Sequence, residues 1–251
     1  MNLGAEQTRE YAKELLTLLQ GVPVQDTEIY VLPPFTSLYA AREAFGGSPV
    51  AYGGQNMHWM PSGSWTGEIS ADMLLECGCR YVELAHSERL QHFGESYALV
   101  RQKVDLAMEK GLTPIICLGE SAQEKKEGRS DEVLATQVMT SLAGQDNERI
   151  SEVILAYEPR WAISGAEAAP PEYIAQRHEG LRKMLAERWG EKVAEETRII
   201  YGGSVTPENG VEIMKLKEVD GLFVGRAAWT PQGFAQIVKI VVEAAKQKSA
   251  I

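Results

Sequence analysis

The sequence RIIYGGSVTPENGVEIMKLKEVDGLFVGR, residues 198–226, contains the repeating unit on which the fold depends. Two apolar segments, 198–201 and 219–224, are rich in the β-branched and aromatic residues that favour strands, and a segment of helical spacing separates them. Strands that are apolar on both faces and alternate with helices are typical of a parallel sheet covered by helices. This unit therefore predicts an α/β protein.

The same alternation extends over the whole chain. It predicts seven strands, the others at 28–32, 50–53, 81–84, 112–117 and 152–157, and eight helices. The first helix, Ala5 to Leu19, comes before every strand, whereas an eightfold barrel begins with a strand. We therefore predict a (β/α)8 barrel that lacks its first β-strand, with residues 1–251 as a single domain. A seven-stranded or an open, doubly wound sheet remains the alternative.

Composition and charge restrict the classes of partner. The chain has 251 residues, 44% of them hydrophobic, and 25 basic against 35 acidic side chains give a net charge of −10. Such a charge repels nucleic acid and anionic membranes at long range, so we predict neither as a partner. Three cysteines without a metal-binding pattern, and an N-terminus without a signal-peptide pattern, predict a cytoplasmic protein with free thiols.

Two titratable residues follow predicted strands, at the end where barrel enzymes place their active sites. His86 follows strand 81–84, and a neutral imidazole there can donate a hydrogen bond to a substrate carbonyl. Glu158 follows strand 152–157, where burial raises the pKa of a carboxylate toward that of a useful general base. A structural histidine and an ion-paired glutamate are the alternatives.

Glycines follow the last two strands. The segment Gly202-Gly203-Ser204 and the pair Gly225-Arg226 stand where eightfold barrels typically bind phosphate. Consecutive glycines let the backbone approach an anion, and the Ser204 hydroxyl can hydrogen-bond phosphate oxygens. The alternative for the glycine pair is an ordinary tight turn.

Several motifs together resemble the triosephosphate isomerase family, in its order and over nearly the whole chain. These motifs are Gln55-Asn56, Thr66-Gly67-Glu68-Ile69-Ser70, His86-Ser87-Glu88-Arg89, Phe93-Gly94-Glu95, Cys117 with Gly119-Glu120, Tyr157-Glu158-Pro159, Trp161-Ala162-Ile163 and Tyr201-Gly202-Gly203-Ser204-Val205. The resemblance implies a TIM barrel without cofactor or metal. It also implies an isomerase that interconverts dihydroxyacetone phosphate and glyceraldehyde 3-phosphate through an enediolate.

The resemblance also implies roles for individual residues. Glu158 would be the base, His86 would polarise the enediolate oxygens, and Glu88 would lie beside them. The phosphate of a small sugar substrate would be held by Ser164, Gly203, Ser204 and Gly225, with Arg226 next to them.

The tryptophan- and methionine-rich loop 56–67 is similar to the loop that the family inserts into a neighbouring subunit. Its Thr66 would reach the active site of that subunit, so the resemblance implies a homodimer. A loop folded back on its own barrel is the alternative.

Three departures from the family pattern are visible. First, the strand that ends in Asn-x-Lys in the family is absent. Second, Ser164 replaces the usual glycine of the family's lid. Third, Arg226 replaces a glycine and Leu90 replaces an arginine. The family has a methionine soon after that lysine, so Met1 could instead be an internal methionine of a longer chain.

Two other functions remain open at this stage. The second and third departures resemble a branch of the family that acts on four-carbon ketose phosphates such as erythrulose phosphate. The missing lysine leaves the negative charge of the substrate without a fixed countercharge. A non-catalytic relative that binds phosphorylated sugars is therefore the second alternative.

Overall fold

Seven parallel strands form one sheet in which every strand pairs with its neighbours in the chain. The computed structural model describes residues 1–163 and 168–249. The strands are β1 Ile29–Val31, β2 Val50–Gly54, β3 Tyr81–Leu84, β4 Thr113–Leu118, β5 Ile154–Tyr157, β6 Arg198–Gly202 and β7 Gly221–Phe223. The strand order never reverses, as it would in a doubly wound sheet, so the doubly wound alternative is wrong, whereas the sheet found among the described residues does have seven strands. The predicted TIM barrel with one strand missing is confirmed.

Helices connect successive strands. The described residues contain eleven α-helices: α1 Ala5–Leu18, α2 Leu38–Phe45, α3 Ala71–Glu76, α4 Ser87–His92, α5 Tyr97–Lys110, α6 Ala122–Lys126, α7 Ser130–Ser141, α8 Pro171–Trp189, α9 Glu191–Glu196, α10 Pro207–Lys215 and α11 Pro231–Ser249. The predicted eight is too few, in part because Gly190, with φ of 95°, separates α8 from α9. No described helix is both long and apolar enough to cross a membrane.

The sheet has a core on each of its two faces. The larger core lies between strands and helices, and Val82 and Leu84 of β3 belong to it. The smaller core fills the inside of the curved sheet and contains Tyr81, Ile115, Cys117, Ile154, Ala156 and Ile200. Alternate residues of each strand therefore face the helices and the barrel interior, as the two-residue period of a strand requires.

The barrel is open between its two edge strands, β1 and β7. Each pairs with one neighbour, and among the described residues no strand lies between them. A cavity of about 680 Å³ occupies this gap, lined by Ile29 and Val31 of β1, Leu222 of β7 and Val238 of α11. The cavity continues to the ends of the strands, where the candidate site lies.

Candidate functional site

Glu158 is the first residue after β5, and its side chain is only 9% exposed. Its Oε2 is buried without a hydrogen-bond partner among the described residues. Burial raises the pKa of Glu158 to about 7, although a hydrogen bond from Cys117 lowers it and the charge of Glu88 raises it further. A carboxylate with an unpartnered oxygen and a pKa near neutrality is suited to remove a proton from a bound molecule.

The backbone around Glu158 is held by the end of β4 and the residues that follow it. Its N–H donates to the carbonyl oxygen of Leu118 at 2.7 Å, and the backbone N–H of Arg160 donates to the backbone carbonyl oxygen of Glu120 at 3.0 Å. A β-carbon at Gly119 would lie 1.9 Å from the carbonyl oxygen of Glu158. Glycine at 119 therefore permits the close approach of the two chain segments that sets the position of Glu158.

His86 lies at the end of β3 as the N-cap of α4. Its Nδ1 accepts a hydrogen bond from the backbone N–H of Glu88 at 3.3 Å. Because Nδ1 uses its lone pair in this contact, we assign the ring proton to Nε2, which provides an N–H donor for a ligand. The preceding residue, Ala85, has φ of 62°, a strained value for a residue with a side chain.

Three of the predicted site residues line the cavity, and Glu88 does not. His86, Glu158 and Gly225 line the same cavity, together with Gln55. The exposed carboxylate of Glu88 lies 3.7 Å from Nδ1 of His86, outside the cavity lining.

The phosphate candidates lie on the loops after β6 and β7. Gly203 has φ of 143°, and its carbonyl oxygen accepts a hydrogen bond from the Tyr201 hydroxyl at 3.2 Å. Ser204 has φ of 49°, and its Oγ donates to the carbonyl oxygen of Ala162 at 2.9 Å. Gly225 precedes the short 3-10 helix Arg226–Trp229, in which Arg226 is exposed. The predicted phosphate ligand Ser164 lies outside the described residues.

A buried hydrogen-bond network holds the segment that follows Glu158. Glu120 is fully buried and accepts hydrogen bonds from Trp161 Nε1 at 2.7 Å and from the hydroxyl of Tyr173 at 2.8 Å. Arg160 forms an ion pair with Glu124 at 2.7 Å. Trp161 and Tyr173 precede and follow residues 164–167, so Glu120 joins the two segments on either side of them.

The loop that contains Thr66 presents an aromatic cluster. The rings of His58, Trp59 and Trp65 have centroids 3.9 to 5.4 Å apart. Trp65 remains 43% exposed and Thr66 is exposed beside it. The loop thus packs partly on itself and leaves apolar surface uncovered on one chain.

Sequence reasoning missed Glu83, the third residue of β3. Its side chain lines the cavity with His86 and Glu158, and burial raises its pKa to about 7. The sulfur atom of Cys117 lies 3.8 Å from Glu83 Oε1. The available signal was the single acid in the otherwise apolar strand YVEL, residues 81–84.

Comparisons with known proteins agree on one family. The model of the triosephosphate isomerase family matches residues 1–241. Triosephosphate isomerases from Dictyoglomus turgidum and Aquifex aeolicus are 39% and 41% identical to this chain, over 93% and 95% of its length and of theirs. An L-erythrulose-1-phosphate isomerase from Rhizobium etli is 43% identical, with 99% of this chain and 92% of that protein covered.

A solved structure agrees as well. The crystal structure of triosephosphate isomerase from Bartonella henselae has a TM-score of 0.85 and 32% sequence identity to this chain. The match covers 96% of this chain and 94% of that one.

Proposed function

Because this chain belongs to the triosephosphate isomerase family, we propose that it interconverts dihydroxyacetone phosphate and glyceraldehyde 3-phosphate by proton transfer through an enediolate. The chain is an isomerase of phosphorylated sugars, in keeping with its relatives. The observation that carries the proposal is the buried, unpartnered Oε2 of Glu158 in the cavity that also contains His86. A binding protein has no need for a buried base of this kind.

The proposed reaction divides the chemistry between two side chains. Glu158 removes a proton from the carbon next to the substrate carbonyl and returns it to the former carbonyl carbon. The Nε2–H of His86 donates a hydrogen bond to the oxygen on which negative charge develops, which stabilises the enediolate. The carbon-bound proton moves between adjacent carbons and the hydroxyl proton moves between their two oxygens, so substrate and product are isomers with the same overall oxidation state. Glu88 helps to orient the ring through its backbone N–H, which donates to Nδ1 of His86, and its carboxylate lies 3.7 Å from the same atom.

The proposed phosphate site lies on the loops after β6 and β7. The backbone N–H groups of Gly203, Ser204 and Gly225 are suited to donate to phosphate oxygens, and Arg226 adds positive charge beside them. These local groups act against a net charge of −10, which otherwise disfavours an anion. We propose the same role for the backbone of Ser164.

A four-carbon ketose phosphate is the second candidate substrate. It is favoured by the Rhizobium etli L-erythrulose-1-phosphate isomerase, which matches 99% of this chain at 43% identity. Pockets discriminate between substrates that differ by one carbon by only roughly 1–3 kcal/mol unless a hydrogen bond reads the added group. Turnover of both substrates by one site is therefore compatible with the proposed chemistry.

Substitution of the base tests the proposal. Glu158→Gln keeps the shape of the side chain and removes its basicity. We therefore expect kcat to fall by a factor of about 100 to 10,000 with both substrates. The matched control is Glu152→Gln, which changes an exposed acid that pairs with Arg149 and should leave kcat unchanged. Circular dichroism should show that both variants fold.

The outcome separates an enzyme from a binding protein. If Glu158→Gln retains most of the kcat of the unaltered chain, the assignment of Glu158 as the base is wrong. If the unaltered chain binds glycerol 3-phosphate but isomerises neither substrate, the non-catalytic alternative is correct.

We also propose that two copies associate as a homodimer through the loop 56–67, with Thr66 at the neighbouring active site. The exposed faces of Trp65 and Met60 support this proposal, because apolar surface in water favours association. Light scattering should give about 55 kDa, twice the 27.7 kDa of one chain, and a monomer mass at micromolar concentration would contradict it. We propose one domain over residues 1–251 and a cytoplasmic setting, in which the three buried thiols stay unpaired.

A further inference from the structure

Glu83 is an acid inside the barrel that the proposed reaction does not use. It is the third residue of β3 and pairs in register with Ile115 of β4. The neighbouring inward-facing residues form the small apolar core of Tyr81, Ile115, Cys117, Ile154, Ala156 and Ile200. A carboxyl group in such surroundings costs folding free energy unless hydrogen bonds compensate it, so its presence calls for an explanation.

The protein itself satisfies Glu83 poorly. The hydrogen bond found for its carboxyl group comes from the Cys117 thiol, a weak donor, at 3.8 Å, and Glu158 shares the single S–H of that thiol. No lysine or arginine among residues 1–163 and 168–248 forms an ion pair with it. The titratable groups that affect its pKa are His86, which lowers it, and the acids Glu158 and Glu88, which raise it. Most of the hydrogen-bonding capacity of this carboxyl group is therefore available to a ligand.

The carboxyl group can be reached from the cavity. Glu83 is partly buried and lines the same cavity as His86 and Glu158. With a pKa raised by burial to about 7, it is partly neutral and partly ionised near neutral pH. Both forms have an oxygen that accepts a hydrogen bond from a hydroxyl group.

The position of β3 in the sheet determines which end of a substrate Glu83 meets. The proposed phosphate-binding loops follow β6 and β7, and β4 and β5 lie between β6 and β3. Glu83 precedes His86 by three residues, so it lies deeper in the barrel than the imidazole. A sugar phosphate held by its phosphate at β6 and β7 therefore points its other end toward β3.

We propose that Glu83 determines substrate length, because its carboxyl group accepts a hydrogen bond from the terminal hydroxyl of a four-carbon ketose phosphate. This inference rests on the proposed isomerase function and specifies its substrate class. The added hydroxymethyl group of the longer substrate brings a strong donor to an acid that otherwise has only the weak thiol donor of Cys117. A triose phosphate is shorter by that group, and it leaves the acid buried without this partner.

Two substitutions at position 83 test the inference. Glu83→Val removes the acceptor and leaves an apolar side chain, whereas Glu83→Gln keeps a carbonyl oxygen in the same place. The measurement is the ratio of kcat/KM for erythrulose phosphate to kcat/KM for dihydroxyacetone phosphate. Glu83→Val should lower this ratio roughly 10- to 100-fold, and Glu83→Gln should restore most of it.

A binding measurement gives a readout that does not depend on turnover. Calorimetry with the unreactive polyol phosphates erythritol 4-phosphate and glycerol 3-phosphate should show that the unaltered chain prefers the longer one. Glu83→Val should remove that preference. Circular dichroism and thermal melting establish that the variant is folded, and Glu83→Gln provides the folded comparison if the valine variant is not.

The possible outcomes are distinguishable. Equal changes in kcat/KM for both substrates, together with an unchanged binding preference, would overturn the role of Glu83 and leave the isomerase proposal intact. An unaltered chain that isomerises neither substrate would overturn the isomerase proposal. In that case the two polyol phosphates still decide whether Glu83 selects the longer ligand.

Discussion

Gly202 lies so close to Glu158 that a β-carbon at position 202 would be 2.8 Å from both Cγ and Oε1 of the glutamate. Gly202 ends β6, and Glu158 follows β5, the neighbouring strand. The absence of a side chain at Gly202 thus creates the space that the Glu158 carboxyl group occupies. In this fold, the position of the proposed base depends on a glycine 44 residues further along the chain.

We expect Gly202→Ala to impair catalysis more than folding. The added methyl group displaces the Glu158 carboxyl group, and a misplacement of about 1 Å lowers catalysis by roughly 100-fold. Steady-state kinetics should show this loss in kcat. The control is Gly210→Ala in α10, where a new β-carbon would have its nearest contact at 3.4 Å. Equal activities of the two variants would show that Gly202 does not position the base.

The rate of isomerisation should depend on pH through Glu158. Only the ionised carboxylate accepts a proton, and burial raises its pKa to about 7, so kcat/KM should fall as pH drops below about 7. The hydrogen bond from Cys117 lowers that pKa, so Cys117→Ala should move the acid limb of the profile to higher pH. An acid limb near pH 4.5 would mean that the base remains well solvated.

Stability should decrease as pH rises from about 4.5 to about 7. Burial raises the pKa of Glu83 and of Glu158 from 4.5 to about 7, so the folded chain binds more protons than the unfolded chain in this interval. The free energy of unfolding therefore falls with increasing pH there and levels off above about 7. Urea titrations at several pH values measure this free energy of unfolding.

The double variant Glu83→Gln/Glu158→Gln is the control for this pH dependence. Because amides do not titrate, the free energy of unfolding of this variant should lack the decrease that Glu83 and Glu158 cause between about pH 4.5 and about pH 7. If the double variant retains the full slope, other groups account for it.

The network around Glu120 should couple Trp161 and Tyr173. Each donates a hydrogen bond to the buried Glu120 carboxylate, so Trp161→Phe and Tyr173→Phe should each lower the free energy of unfolding by about 1–3 kcal/mol. A double-mutant cycle by urea denaturation should give a non-additive result, because both donors bind Oε1 of Glu120. Strict additivity would show that Trp161 and Tyr173 are independent.

Much of the fold could be predicted from local patterns. The apolar segment at 81–84 and the strand found there coincide, and the other six strands agree to within about two residues at each end. The residues that follow each strand could also be assigned, because the carboxyl ends of parallel strands meet at one end of a barrel. His86 and Glu158 were therefore identifiable as candidates before their geometry was known.

Contacts between distant segments could not be predicted in this way. Glu83 lies in a predicted strand, but the two-residue period does not say which of the two faces lies inside the barrel. The close approach of Gly202 to Glu158 and the network around Glu120 join strands and helices that are far apart in the chain. Such contacts depend on how the sheet curves and how its strands are registered.

By itself, the sequence determined the order of strands and helices and the chemical groups at the strand ends, because these follow from local periodicity and residue type. Only the tertiary structure decided that Glu83, His86 and Glu158 face one cavity. The physical reason is that burial depends on neighbours from the whole chain. The same burial raises the pKa of both interior glutamates.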